Sequence, residues 1–186
     1  MNYLNISWLE LQQMCFDLSK EIKNSGQKYD LIVAIARGGL TISQLLSDFL
    51  GLPIASFTII SYKEMRQNQE PTVTFSVGNS LDGRKILLVD DISDTGKTFV
   101  RGVRHLKEMG ATDIKTVSVF TKSWTKFVPD FSIRQTDEKT WIILPYEMKE
   151  TIDSLSAKFK KEGLSEKEIV ERLKQIKIPE TWNKLI

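Results

Sequence analysis

The sequence predicts an α/β fold, a mostly parallel sheet flanked by helices with a helical hairpin at the C-terminal end. Three observations carry that expectation. Short continuous apolar runs, Leu31-Ile32-Val33-Ala34-Ile35 and Ile86-Leu87-Leu88-Val89, read as strands buried on both faces and alternate with helical patterns. Loops rich in Gly and Asp follow both runs directly, at Arg37-Gly38-Gly39 and at residues 90–98. After Met148 the pattern becomes purely helical, with Ile152, Leu155 and Phe159 on one stripe and Ile169, Leu173 and Ile176 on another.

Taken in order, Ser7 and Glu10 form a capping box ahead of Leu11, Met14, Cys15, Leu18 and Ile22, which predicts a first amphipathic helix. Residues 31–35 form the first strand. Residues 40–50 read as a helix stopped by Gly51. Strands are expected at 53–60 and 72–77, with a polar, mobile loop over 61–71 between them. Leu81-Asp82-Gly83-Arg84 is a turn. A buried strand at 85–89 runs into the acidic loop, and a helix follows to Met109. Further strands are expected at 113–120 and 141–144. Gly163 breaks the C-terminal helical region, and Ser165 with Glu168 caps its second helix. The domain expectation is one main domain over 1–148, taking in the segment near 121–148, and a helical extension over 149–186.

Composition bounds the function. With 186 residues, 41% hydrophobic and 27% charged, the chain fits one globular domain with a small appendage. A formal net charge of +2 gives no global attraction to nucleic acid or to membrane surfaces, so any anion site must be local. No apolar run approaches the roughly 20 residues of a membrane span. The first residues lack the basic and apolar segments of a secretory signal, and a cytoplasmic protein is the expectation. The one cysteine, Cys15, excludes an intrachain disulfide and lies on the apolar face of the first helix. The one histidine, His105, lies within a helix and reads as structural, which leaves little room for histidine-based catalysis.

The chemistry concentrates in Val89-Asp90-Asp91-Ile92-Ser93-Asp94-Thr95-Gly96-Lys97-Thr98. A strand ending in two acids meets a helix N-terminus through a loop of small polar residues. Backbone N–H groups there, with the hydroxyls of Ser93, Thr95 and Thr98, can surround a phosphate. Gly96 permits close approach of a ligand. Asp90 and Asp91 point to opposite sides of the strand, and such acids suit ribose hydroxyls and a magnesium ion. Gly96-Lys97-Thr98 is not a nucleotide-triphosphatase loop, because that motif needs a glycine where Asp91 stands.

This stretch resembles the phosphoribosyl pyrophosphate (PRPP) motif of type I phosphoribosyltransferases. Ala36-Arg37-Gly38-Gly39-Leu40 resembles the family's pyrophosphate loop, where backbone amides and a basic side chain contact the leaving group; members often hold a non-proline cis peptide there, expected here at Arg37-Gly38. The resemblance implies PRPP binding by Arg37, Gly38, Gly39, Asp90, Asp91, Ser93, Asp94, Thr95, Gly96, Lys97 and Thr98, with Arg37 and Asp94 catalytic and Asp94 the general base. Ser61 and Tyr62 begin the polar loop, as in the purine-salvage branch, where it closes over the reacting centre.

Val119-Phe120-Thr121-Lys122 places a lysine just after a strand, as in the hypoxanthine, guanine and xanthine enzymes. Thr140-Trp141-Ile142 with Pro145-Tyr146-Glu147-Met148 is similar to the bacterial xanthine-guanine enzymes. Lys122, Trp141 and Ile142 are therefore the implied base-binding residues, and Glu147, with Asp90 and Asp91, an implied link to Mg²⁺. The implied function is Mg²⁺-dependent transfer of ribose 5-phosphate from PRPP to a 6-oxopurine, in purine salvage. The implied partners are PRPP and a purine base, with no nucleic acid and no membrane, in a homo-oligomer. Two alternatives stay open: a transferase for adenine or a pyrimidine, and a PRPP-sensing regulator of the same fold.

Overall fold

The structure, a computed structural model, describes residues 2–60, 71–179 and 181–182. Strand β1 (Asn2–Asn5) comes first, then helix α1 (Trp8–Asn24). The chain divides into two compact units: Gln12–Glu138, the sheet unit, and a terminal unit that joins the segment up to Leu11 to the segment from Lys139 onward.

Helix α1 starts as its sequence dictates. The Ser7 hydroxyl accepts from the Glu10 N–H at 3.2 Å, and the Glu10 carboxylate accepts from the Ser7 N–H at 2.8 Å. Its stripe of Leu11, Cys15, Leu18 and Ile22 is buried. Burial pushes the Cys15 thiol up to about 12, so it stays protonated and packs as a small apolar group.

The sheet unit then runs β2 (Leu31–Ala36), α2 (Gly38–Leu50), β3 (Ile54–Ile60), β4 (Thr72–Phe75), β5 (Lys85–Ser93), α3 (Lys97–Glu108), β6 (Asp113–Lys122) and β7 (Phe131–Thr136). These strands form one six-stranded sheet in the order β4-β3-β2-β5-β6-β7. All neighbours are parallel except β3 and β4. Apolar side chains alternate across the central strands. Leu31, Val33 and Ile35 of β2 join Ile86 and Leu88 of β5 on one face, against Phe99 and Leu106 of α3. Each such side chain, fully buried, contributes about 1.5–3 kcal/mol. Helix α3 comes close because Gly102 has no side chain: a Cβ there would lie 3.1 Å from Leu88 Cδ2 and 3.3 Å from Ile35 Cδ1. Helix α2 ends at Gly51, whose φ of 70° suits glycine and whose N–H donates to the Ser47 carbonyl at 2.8 Å.

In the terminal unit, β1 pairs in parallel with β8 (Thr140–Ile143), with Asn2 opposite Thr140 and Asn5 opposite Ile143. Helices α4 (Met148–Lys161) and α5 (Glu166–Gln175) form the expected hairpin. Gly163, at φ 87°, turns the chain, and Ser165 with Glu168 makes the capping box that starts α5. Ile152, Leu155 and Phe159 pack against Ile169, Leu173 and Ile178. The Asn5 amide donates to the carbonyls of Ile176 and Lys177, tying the end of α5 to β1.

Several expectations shift. Strand β5 does not stop at Val89 but continues through Asp90 and Asp91 to Ser93, because β6 pairs with it that far: Ser93 lies opposite Thr121. Helix α2 begins at Gly38, not Leu40, and β4 ends at Phe75. Strands β1 and β7 were not legible in the sequence. Each is short, with only two apolar residues among polar ones, and the backbone pairing of a neighbour makes the strand. No helix among the described residues is long and apolar enough to cross a membrane.

Candidate active site

Parallel pairing brings three strand ends to one rim of the sheet unit. Ala34 pairs with Val89, so Ala36-Arg37 at the end of β2 lies beside Asp90-Asp91 of β5. Ser93 pairs with Thr121, which sets Lys122 beside the acidic loop. Ligands bind at such carboxyl ends in open α/β sheets.

The first loop is built by close backbone packing. The chain passes from β2 into α2 with Arg37 at the helix N-cap. The cis peptide bond is Ala36-Arg37, one residue earlier than the expected Arg37-Gly38. Two glycines follow because nothing larger fits. A Cβ on Gly39 would collide with the Val89 carbonyl oxygen. A Cβ on Gly38 would lie 2.5 Å from Asp91 Oδ2 and 2.7 Å from Oδ1. The Asp91 carboxylate thus rests on the first turn of α2, where the helix dipole favours negative charge.

The two strand-end acids are held differently. Asp90 is buried and its Oδ1 accepts from the Asp91 N–H at 3.0 Å. Asp91 is half-buried and its Oδ1 accepts from the Ile92 N–H at 2.7 Å. Both are hard oxygen donors of the kind magnesium takes. A pair of carboxylates matches the way that ion binds, through one or two protein acids with water and substrate phosphates filling the rest. Among the described residues no group of three or more His, Cys, Asp and Glu converges.

The second loop, 93–98, is built by side chains from a distant segment. Ser93 is buried, and its hydroxyl donates to the Phe127 carbonyl at 2.7 Å and meets the Thr125 hydroxyl at 3.0 Å. That hydroxyl ties the loop to the 123–130 segment. The Lys126 N–H donates to the Thr95 carbonyl at 3.3 Å. Gly96, at φ 82°, starts α3, and a Cβ on it would lie 2.7 Å from the Phe127 nitrogen. Phe127 in turn stacks on Phe99, with centroids 5.4 Å apart and planes 8° from parallel. Thr125 and Phe127 are thus positioning residues that sequence reasoning missed. Thr95 and Lys97 are exposed, and Asp94 and Thr98 are half-buried.

Lys122 ends β6 and is buried, with its ammonium 5.2 Å from the Trp124 ring centroid. Burial holds it below the ordinary lysine range, and the nearby carboxylates of Asp94 and Asp137 oppose that shift. Lys122 and Asp94 therefore feel each other's charge. The 123–130 segment that carries Trp124 is pinned at its far end by Asp130, which accepts from the Thr116 N–H, the Thr116 hydroxyl and the Lys115 ammonium, each at 2.8 Å.

In the terminal unit, Trp141 is half-buried on β8 opposite Tyr3, and Ile142 beside it is buried. Glu147 is half-buried at the N-cap of α4, where its carbonyl accepts from the Thr151 N–H at 2.9 Å. Ser61 and Tyr62 lie outside the described residues.

Known proteins share this architecture. A purine phosphoribosyltransferase from Pyrococcus horikoshii is 31% identical, with a TM-score of 0.70, over 78% of this chain and 95% of that one. The xanthine-guanine-hypoxanthine phosphoribosyltransferase of Helicobacter pylori, 21% identical with a TM-score of 0.67, shares the fold over 78% of this chain and 93% of that one. In sequence, the chain is 30% identical to a xanthine-guanine phosphoribosyltransferase of Idiomarina loihiensis over 145 residues, 77% of this chain and 86% of the relative. The phosphoribosyl transferase domain model matches residues 7–151, and the chain belongs to that family of transferases.

Proposed function

We propose that the protein transfers ribose 5-phosphate from PRPP to a 6-oxopurine, releasing pyrophosphate and a purine nucleoside monophosphate. The observation that carries this reading is the common rim: Arg37 with its glycine pair, the acids Asp90, Asp91 and Asp94, and the buried Lys122 leave three adjacent parallel strands together. The similarity to purine and xanthine-guanine enzymes supports the purine class.

In the reaction a ring nitrogen of the base forms a bond to the anomeric carbon while the bond from that carbon to the pyrophosphate oxygen breaks. Positive charge develops on the ribose and negative charge on the leaving group. Arg37 and the amides of Gly38 and Gly39 stabilise the departing pyrophosphate. Asp90 and Asp91 bind the ribose hydroxyls and favour the cationic ring. The loop from Asp94 to Thr98, with Gly96 allowing close approach, holds the 5-phosphate and so fixes the sugar. Asp90 and Asp91, with Glu147, would hold magnesium, which would supply charge neutralisation for the pyrophosphate. Asp94 takes the proton that the attacking base releases. Lys122 donates to the exocyclic oxygen at position 6 of the purine. Trp141 stacks on the base, and the backbone at Ile142 reads its edge.

The deciding experiment is an assay with Mg²⁺ and PRPP against hypoxanthine, guanine, xanthine, adenine, uracil and orotate in turn. Nucleotide formation with one or more 6-oxopurines is expected. Formation with adenine or a pyrimidine alone would overturn the base assignment. PRPP binding without turnover on any base would favour the regulator.

A further inference from the structure

Beside the phosphate loop the sheet unit carries an open cleft of about 510 Å³, which shares Thr95, Gly96 and Lys97 with that loop and extends along α3 beyond it. One wall is the exposed face of α3, where Lys97, Val100, Arg101 and Arg104 recur at helical spacing. The opposite wall is the 123–130 segment, which contributes Trp124 and Lys126. Asp90, Asp91 and Asp94 do not line it. Its volume lies within the range of about 300–1,000 Å³ found for small-molecule sites.

Two features of the lining specify a ligand. The first is charge: Lys97, Arg101, Arg104 and Lys126 surround the cleft, and among the described residues no carboxylate lines it. Arg101 Nη1 is buried and makes no hydrogen bond among the described residues, and the carboxylate it pairs with, on Glu108, stands 3.7 Å away. A buried guanidinium nitrogen without a hydrogen bond is costly unless an acceptor reaches it. The second feature is apolar: Val100 is 47% exposed and Trp124 36% exposed, an aliphatic and an aromatic surface open to solvent between the cations. An indole face beside a basic rim suits a flat ring bearing several phosphates.

We infer that this cleft is a second binding site, adjoining the transfer site at the phosphate loop, for a nucleoside polyphosphate whose ring lies on Trp124 and Val100 and whose phosphates meet Arg101, Arg104 and Lys126. Because Thr95, Gly96 and Lys97 belong both to the cleft wall and to the phosphate loop, its occupant touches the loop that holds the 5-phosphate.

The test is equilibrium dialysis of ATP against the intact protein, with PRPP saturating, Mg²⁺ in excess and no base present. About one ATP per chain is expected to be retained. Arg104→Glu and, separately, Val100→Glu are expected to weaken ATP at least about tenfold, with the KM for PRPP changed less than about twofold, since each places a carboxylate in the cleft and neither lies in the transfer site. Inorganic triphosphate, lacking the ring, is expected to bind at least about tenfold more weakly than ATP. Full displacement of ATP by PRPP would overturn the inference, as would ATP binding unchanged in both variants or triphosphate binding as tightly as ATP. Dialysis reads occupancy without turnover, so failure of the transferase reading in the base assay leaves this result independent.

Discussion

The two loops of the candidate site reach the same rim by opposite means. The loop at 36–39 is held by contact between backbones, with Gly39 against the Val89 carbonyl and Gly38 against the Asp91 carboxylate. The loop at 93–98 is held from a distance, by Ser93 bonding to Thr125 and Phe127, more than thirty residues away. The first tolerates no added atom. The second tolerates small changes of shape and depends on specific hydrogen bonds. Overpacking is therefore the way to damage one loop, and deletion of a hydroxyl is the way to damage the other.

The largest expected effect concerns chemistry rather than scaffold. Asp94→Asn should lower kcat by about 10²–10⁴, the usual worth of a general base, and leave PRPP affinity within a few-fold. Steady-state kinetics with PRPP titration check this, and unchanged turnover would remove the proton-acceptor role.

Next comes the sterically closed loop. Gly39→Val should cost about 1–3 kcal/mol or more in denaturant unfolding, because the new side chain meets a backbone carbonyl that cannot rotate away. Gly96→Val should behave similarly, since its φ of 82° disfavours a branched side chain and Phe127 occupies the space. Equal tolerance of valine at Gly39 and at Gly78, where a Cβ would meet nothing within 4 Å, would break the contrast.

The hydrogen-bonded loop should respond more mildly. Ser93→Ala should cost about 1–2 kcal/mol and raise the KM for PRPP, because the Thr125 and Phe127 partners lose a bond at a buried position. Asp130→Asn should loosen the same segment from its far end by about 1–3 kcal/mol, and the effect should depend on pH. Burial of Asp130 by itself raises its pKa, but the hydrogen bonds from Lys115 and Thr116 outweigh it and hold the carboxyl below the ordinary range. A depressed folded value means that the stabilisation is complete above the unfolded pKa and lost as pH falls through the folded one. Unfolding curves from pH 6 downward should therefore converge for wild type and Asp130→Asn at acid pH. The smallest effect belongs to the terminal unit: Ser165→Ala removes the α5 cap and should cost about 1 kcal/mol with no change in kinetics.

Much of this was legible in the chain itself. The apolar runs at 31–35 and 86–89 and both capping boxes are local patterns, so the strands and helix starts appear where the residues put them. The motif at 89–98 pointed to the family because its residue types, in that order, are the ones the family's phosphate loop uses. Strand ends were harder to read. Asp90 and Asp91 read as the end of a strand, and the strand runs on past them to Ser93, because pairing with β6 outweighs the poor strand propensity of the acids.

By itself the sequence determined the alternation of strands and helices, the two glycine- and acid-bearing loops, the capped C-terminal hairpin and the family to which they point. Those features depend on side-chain periodicity and on residue chemistry within a few positions. Only the tertiary structure decided that Ser93 holds Phe127 instead of facing outward, that Lys122 is buried near Asp94, and that the outer face of α3 forms a basic cleft with Trp124. Each of these joins residues about twenty to thirty-five positions apart, and a contact across that distance is fixed by the order of strands in the sheet, which no local pattern encodes.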